Sequence, residues 1–189
     1  MPKILAWHFT DGMTLRDGQP LVVGKTYRHE GDVEICESGY HASRRLFDAL
    51  RWAPGTQLSR VECWGDLKEE EDKLVAKNRK VLWTLDVAMI LHELAYRVAE
   101  IALSKIKDAD PRSFAAIEAK RKWMRGEITD DELDAAGSAA WLAARSAERD
   151  AAESAVWSAA WSAARSVIES DFNAQLEAMV NEAHEAQEE

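Results

Sequence analysis

GYHASRRLFDALRWAPGTQLSRVECWG, residues 39–65, decides how this chain is read. Gly39 opens a turn. Ser43 stands as a cap before a helix beginning at Arg44, because its hydroxyl can accept from an otherwise unpaired N–H of the first turn. Leu46, Phe47 and Leu50 then recur at helical spacing, with Arg44, Arg45, Asp48 and Arg51 elsewhere on the surface. Pro54-Gly55 stops the helix. From Leu58 the period falls to two. Val61 and Cys63 face one way, Arg60, Glu62 and Trp64 the other, and Gly65 ends the strand. Turn, helix, turn and strand in quick succession are the parts of an α+β core.

Working outward toward the N-terminus, Lys3–Phe9 (KILAWHF) reads as a first strand, and Asp11-Gly12 and Asp17-Gly18 as turns. Leu21–Tyr27 reads as a strand with Gly24 as a bulge. Gly31-Asp32 turns the chain before a short strand over Val33–Cys36. On the far side, the acidic run from Lys68 to Asp72 reads as a solvated loop or bulged edge. Lys73–Ala76 and Lys80–Leu85 read as the last strands, with Lys77–Lys80 as an exposed turn. Residues 1–85 are thus expected to form a small, mostly β domain holding one short helix.

At Asp86 the pattern turns helical. Asp86 can cap a helix running to about 107, with Leu91, Leu94, Val98 and Ile101 as its stripe. Asp110-Pro111 is a cap followed by a first-turn proline, starting a helix over 111–125 with Phe114, Ile117 and Met124 inward. Thr129 and Glu132 form a capping box for a long alanine-rich helix over about 130–184. Residues 86–189 are expected to be an all-helical extension. Within it AAWLAARS (139–146) recurs as AAWSAARS (159–166). Twenty residues turn a straight helix by about 200°, so Trp141 and Trp161 point to nearly opposite sides. Trp157, Trp161, Ile168, Phe172, Leu176 and Met179 share one face. Such a small-residue helix buries little area alone and must lie close to another helix or project.

The chain has 24 basic and 34 acidic residues, a net charge of −10, so a broad basic surface for direct nucleic-acid binding is not expected. No apolar stretch approaches the length of a membrane span, and MPKILAWHF is not a signal sequence. Cys36 and Cys63 sit in no metal-spaced motif and read as reduced thiols of a cytoplasmic protein. None of the five histidines pairs at metal spacing. The phosphate-loop, dinucleotide, zinc-protease and serine-hydrolase motifs are absent. The candidate cleft residues are therefore the polar side chains of the β domain: His8, Tyr40, His41, Ser43 and Glu62, with Tyr27 nearby and Trp52 as an apolar wall. The competing reading is that His41 and Ser43 merely hold the turn and cap the helix, and that His8 is a satisfied structural histidine.

Ala6-Trp-His-Phe9, Thr14-Leu-Arg-Asp-Gly18, Val23-Gly-Lys25, Gly39-Tyr-His-Ala-Ser43, Asp48-Ala-Leu50, Ala53-Pro-Gly55, Arg60-Val-Glu62 and Asp72-Lys-Leu-Val75 resemble a family of uncharacterised bacteriophage and prophage proteins, whose longer members carry an Ala/Trp-rich helical tail. The resemblance implies a phage-associated accessory role inside a bacterial cell. The order of a histidine-bearing strand (Trp7-His8-Phe9), a glycine-led segment, a helix and a strand ending at Val61-Glu62 is also similar to ADP-ribosyltransferases. That likeness implies nicotinamide dinucleotide bound by His8, Tyr40 and Ser43, although Phe9 stands where that family has glycine.

Three functions follow as expectations. The first is a non-enzymatic phage accessory protein, with Trp141, Trp157, Trp161 and Arg165 binding a protein partner or a second copy, and inhibition of a host-defence complex as one such role. It needs no cofactor and no metal. The second is a nucleotide-binding domain or enzyme using the cleft, with NAD as its ligand. The third is a structural component of the virion.

Overall fold

The structure, a computed structural model, describes residues 3–104, 109–151 and 156–188, and the backbone alone at 102, 141–151 and 156–171. The chain forms an antiparallel sheet domain followed by helices, an α+β fold. It divides into two compact units: Met1–Ala88 with Ile168–Glu189, and Met89–Val167.

The first unit is built on a long hairpin. β4 (Gln57–Glu69) and β5 (Leu74–Asp86) pair along almost their whole length. Glu70 N–H donates to the Lys73 carbonyl at the tip (2.8 Å). The strand expected to end at Gly65 runs on through it. With φ +93° and a register shift between Trp64 and Leu67, Gly65 bends β4 as a bulge, which its lack of a Cβ permits. The two short strands expected over 73–76 and 80–85 are one. No glycine or proline interrupts residues 73–86, so the chain keeps its ladder through Lys77–Lys80 instead of turning there.

β1 (Ile4–Thr10) lies on the outer edge of β4. On the other side, β2 (Thr26–Arg28) and β3 (Tyr40–Ala42) pair with successive stretches of β5. Just past β3, Ser43 and Trp7 exchange both backbone hydrogen bonds (2.7 and 2.9 Å). The sheet therefore curls until its edges touch. The strand expected over Leu21–Tyr27 shrinks to β2, because Gly24 at φ +81° turns the chain and leaves Val22 and Val23 exposed. The strand expected over Val33–Cys36 is a turn, with Cys36 at φ +67°. One cluster of buried residues includes Ala6, Leu15, Leu21, Tyr27, Val61, Cys63, Leu74 and Val81. Tyr27 Oη donates to the Pro20 carbonyl (2.6 Å) and accepts from Val22 N–H (2.9 Å), pinning the loop over this core.

α1 (Leu46–Leu50) begins after Arg45, and Ser43 does not cap it. Ser43 is buried, and its hydroxyl donates to the Asp72 carbonyl (2.8 Å). The free N–H groups are met from far along the chain. Asn173 Oδ1 accepts from Phe47 N–H (2.9 Å), and Glu177 Oε1 from Leu46 N–H (3.4 Å). Both acceptors lie on α5 (Val156–Glu188), whose end from Ile168 belongs to this unit. There Phe172, Leu176 and Val180 are buried, and the His184 ring stacks on Trp83 at 4.2 Å.

The second unit holds α2 (Ala88–Ser104) beyond its first residue, α3 (Pro111–Met124) and α4 (Asp130–Ala151). Asp86 accepts from Ala88 N–H (3.0 Å), and Asp110 from Arg112 N–H (2.8 Å) ahead of Pro111. Glu132 Oε2 accepts from Thr129 N–H (2.9 Å) while Glu132 N–H donates to Thr129 Oγ1 (3.3 Å), the reciprocal box that starts α4. His92 meets Trp123 edge-on at 5.1 Å, and Arg121 pairs with Glu100 at 2.7 Å, joining α2 to α3. Ile117 is buried, but Phe114, expected inward, is 44% exposed. The helix expected over about 130–184 is described as α4 and α5, and residues 152–155 lie outside the described residues.

Candidate functional site

Alternation along the strands sets the site. Ala6 packs in the core, so His8, two residues on, points to the same side of β1. Val81 packs in the core, so Arg79, two residues back, points inward from β5. His41 comes from β3. These three residues line a cleft of about 1190 Å³, together with Tyr40, Trp52 and Lys73.

Arg79 is the most unusual member. It is only 2% exposed. Its Nη1 donates to the His41 carbonyl (3.0 Å), and its guanidinium sits 5.0 Å from the Tyr40 ring centre. Its Nε has no hydrogen-bond partner among the described residues, and among them no carboxylate comes within ion-pair distance of it. Burial pulls the guanidinium below the ordinary arginine range, yet arginine remains a cation at neutral pH. Asp17 on the rim acts on it electrostatically without pairing, and a buried charge is costly unless it is closely paired.

The histidines around it are held neutral. Burial keeps His8 well below the ordinary histidine range, and the charges of Arg79 and His41 push the same way. Burial also lowers His41, against a hydrogen bond to the Gly39 backbone, with Arg16, Arg79 and Lys73 adding to the lowering. His41 Nε2 accepts from Cys36 N–H (2.8 Å), which a neutral ring can do. Gly39, just before β3, has φ +96°, and a Cβ there would come within 2.7 Å of Val75 Cγ2 and 2.9 Å of Val33 Cγ1. Only glycine lets Tyr40 and His41 enter the sheet at this point.

Acidic side chains also reach the cleft, namely Asp11, Asp17 and Glu37, but all three are exposed. Asp17 is engaged with Gln19, accepting from its N–H (3.1 Å) and its amide (2.9 Å). Water screens these rim charges, while the field of the buried guanidinium is screened far less. The deep part of the cleft is therefore cationic in spite of the net charge of −10. Among the described residues no group of three or more His, Cys, Asp or Glu is placed to hold a metal ion.

Of the residues expected in the cleft, His8, Tyr40, His41 and Ser43 line it. Ser43 is committed to the hairpin tip, and Tyr27 to the loop over the core. Glu62 stays outside, pairing with Lys3 at 2.7 Å. The side chains of Trp141, Trp157, Trp161 and Arg165 lie outside the described residues. Arg79, Lys73 and Cys36 belong to the site and escaped the sequence reading. Arg79 was hidden in Lys77–Lys80, a polar run that reads as a turn. The usable signal was the unbroken two-residue beat from Val81 back to Arg79.

Among the described residues no helix is long and apolar enough to cross a membrane. No curated protein and no solved structure matches the chain. A family model described as a domain of unknown function (DUF7666) matches residues 4–93, a stretch that takes in the whole curled sheet from β1 to β5.

Proposed function

We propose that the curled-sheet unit is a binding domain for a small anionic ligand with a planar ring, the class to which nucleotides belong. The observation that carries this reading is Arg79: a buried guanidinium, ion-paired with no carboxylate among the described residues, in the wall of an open cleft. An anion placed in the cleft supplies a counter-charge close to the guanidinium. Charge-assisted hydrogen bonds are among the stronger ones. Trp52, 56% exposed, and Tyr40 offer aromatic surface for the planar part. His8 and His41 stand beside the anion position as neutral donors or acceptors. This is the nucleotide-binding alternative of the sequence analysis. The reading through a protein partner rests on helix side chains outside the described residues.

The test is a thermal-shift series with nucleotide mono- and diphosphates and NAD at millimolar concentration, repeated with Arg79→Met. A ligand that binds only the folded state raises Tm by mass action, by about 2.7 kcal/mol of stability at a hundredfold excess over Kd. The expected result is a rise with at least one member that Arg79→Met abolishes. No rise with any member, or an equal rise in Arg79→Met, would overturn the reading.

A further inference from the structure

The turn ahead of β3 presents Cys36 at the wall of the same cleft, exposed and in the left-handed conformation. Lys73 Nζ donates to its Sγ at 3.4 Å. Lys73 is itself steadied by Glu70 (3.3 Å) and by the Trp52 ring, 4.6 Å from its nitrogen. Cys36 N–H donates to His41 Nε2, and Arg79 Nη1 donates to the carbonyl of that same residue. A single residue, His41, therefore bonds both the backbone of the Cys36 turn and the buried guanidinium, whose Nε lacks a partner among the described residues. Of the other charges near the turn, Glu34 is paired with Lys68, and Glu37 is exposed.

We propose that Cys36 is a covalent attachment site for small anionic carbon electrophiles, with the anion seated at Arg79 and the electrophilic carbon at Sγ. The proposal rests on the cleft being the anion site described above. The natural class is an α,β-unsaturated carboxylate. The sulfur bonds the β carbon as the π pair moves to the α carbon, which takes up the proton that the thiol gave up. No oxidant and no second reactant enter. Lys73 is a positioning residue that holds the sulfur ready.

The experiment uses the full chain at pH 7, with iodoacetate and iodoacetamide as matched charged and neutral probes and glutathione as the reference thiol. In both reactions the C–S bond forms as the C–I bond breaks and iodide leaves with the bonding pair. Peptide mass spectrometry assigns the label. Cys63, buried with its thiol pushed up to about 11, is the internal control and stays unlabelled in the folded protein. The iodoacetate-to-iodoacetamide rate ratio at Cys36 is expected to exceed that of glutathione by about tenfold, the pull of a poorly screened cation on an anionic reagent. Millimolar inorganic phosphate should slow iodoacetate and leave iodoacetamide unchanged, an arm that needs no variant. Lys73→Met should slow both reagents. A ratio equal to that of glutathione overturns the proposal. If nucleotides still raise Tm through Arg79, the cleft reading then stands without its thiol; if they do not, both fall together.

Discussion

Leu176→Ala tests whether the end of α5 is part of the sheet domain's core. Leu176 is fully buried, at 0% exposure, between Phe172 and Val180, which are buried on the same helix. The substitution removes three carbons from a site whose neighbours are fixed by hydrogen bonds to α1, so the hole cannot easily close. Leucine-to-alanine changes at such sites cost about 2–5 kcal/mol. The rigid surroundings place this one in the upper half of that span, a large part of a typical stability of about 5–15 kcal/mol. Asn173→Ala removes the acceptor for Phe47 N–H and should cost about 1 kcal/mol, as loss of a helix cap does. The two positions are one turn apart, so their effects should not add simply. Urea unfolding of the full chain, followed by tryptophan fluorescence, measures both. Trp83, stacked on His184, reports on the docked helix. A midpoint for Leu176→Ala within about 0.5 kcal/mol of the parent, at unchanged slope, would refute the reasoning. A chain ended at residue 167 should likewise be strongly destabilised, although the family match stops at residue 93.

Gly39→Ala should cost about 2–4 kcal/mol, combining the left-handed backbone with overlap on Val75 and Val33. Gly24→Ala, also left-handed but facing open space, should cost only about 1–2 kcal/mol, and equal urea midpoints for the two would remove the packing argument. His8 and His41 both have folded-state pKa values below the ordinary histidine value, so the unfolded chain binds more protons on acidification. Their contribution is complete above about pH 6.5 and is lost as the pH falls below it, by up to about 1.4 kcal/mol per pH unit for each. Urea melts at pH 8, 6.5 and 5.5 should show this loss, and His8→Gln should flatten it. Stability that is level or higher at pH 5.5 would contradict it. Thr129→Ala removes the hydroxyl that accepts from Glu132 N–H at the start of α4, leaves the Thr129 backbone N–H bond to Glu132 in place, and should cost that unit about 1 kcal/mol in a thermal melt followed by circular dichroism.

Local rules were legible where they acted alone. The caps at Asp110 and Thr129 need only their own side chains and the next three residues, and both form as their spacing dictates. The α+β order also follows from the change of period near Asp86. The cap of α1 was not legible, since Ser43 has the right chemistry and position but is drawn away to the Asp72 carbonyl by the closure of the sheet. Half of the site was visible, in His8, Tyr40 and His41, because unusual polar residues on short apolar segments stand out. Glu62 was misplaced, since alternation says which side of a strand a residue faces but not what covers that side.

The sequence by itself determined the α+β order, the change to helices near Asp86 with the caps at Asp110 and Thr129, and four of the cleft residues, His8, Tyr40, His41 and Ser43. Only the tertiary structure decided that Arg79 is buried, that His8, His41 and Cys36 line one cleft with it, and that the end of α5, with Phe172, Leu176 and Val180 buried, belongs to the same compact unit as the sheet. The reason is physical. Periods and caps are set by neighbours within one turn or one pleat. The field around a charge, and the burial that makes it strong, depend on pairings between residues dozens of positions apart.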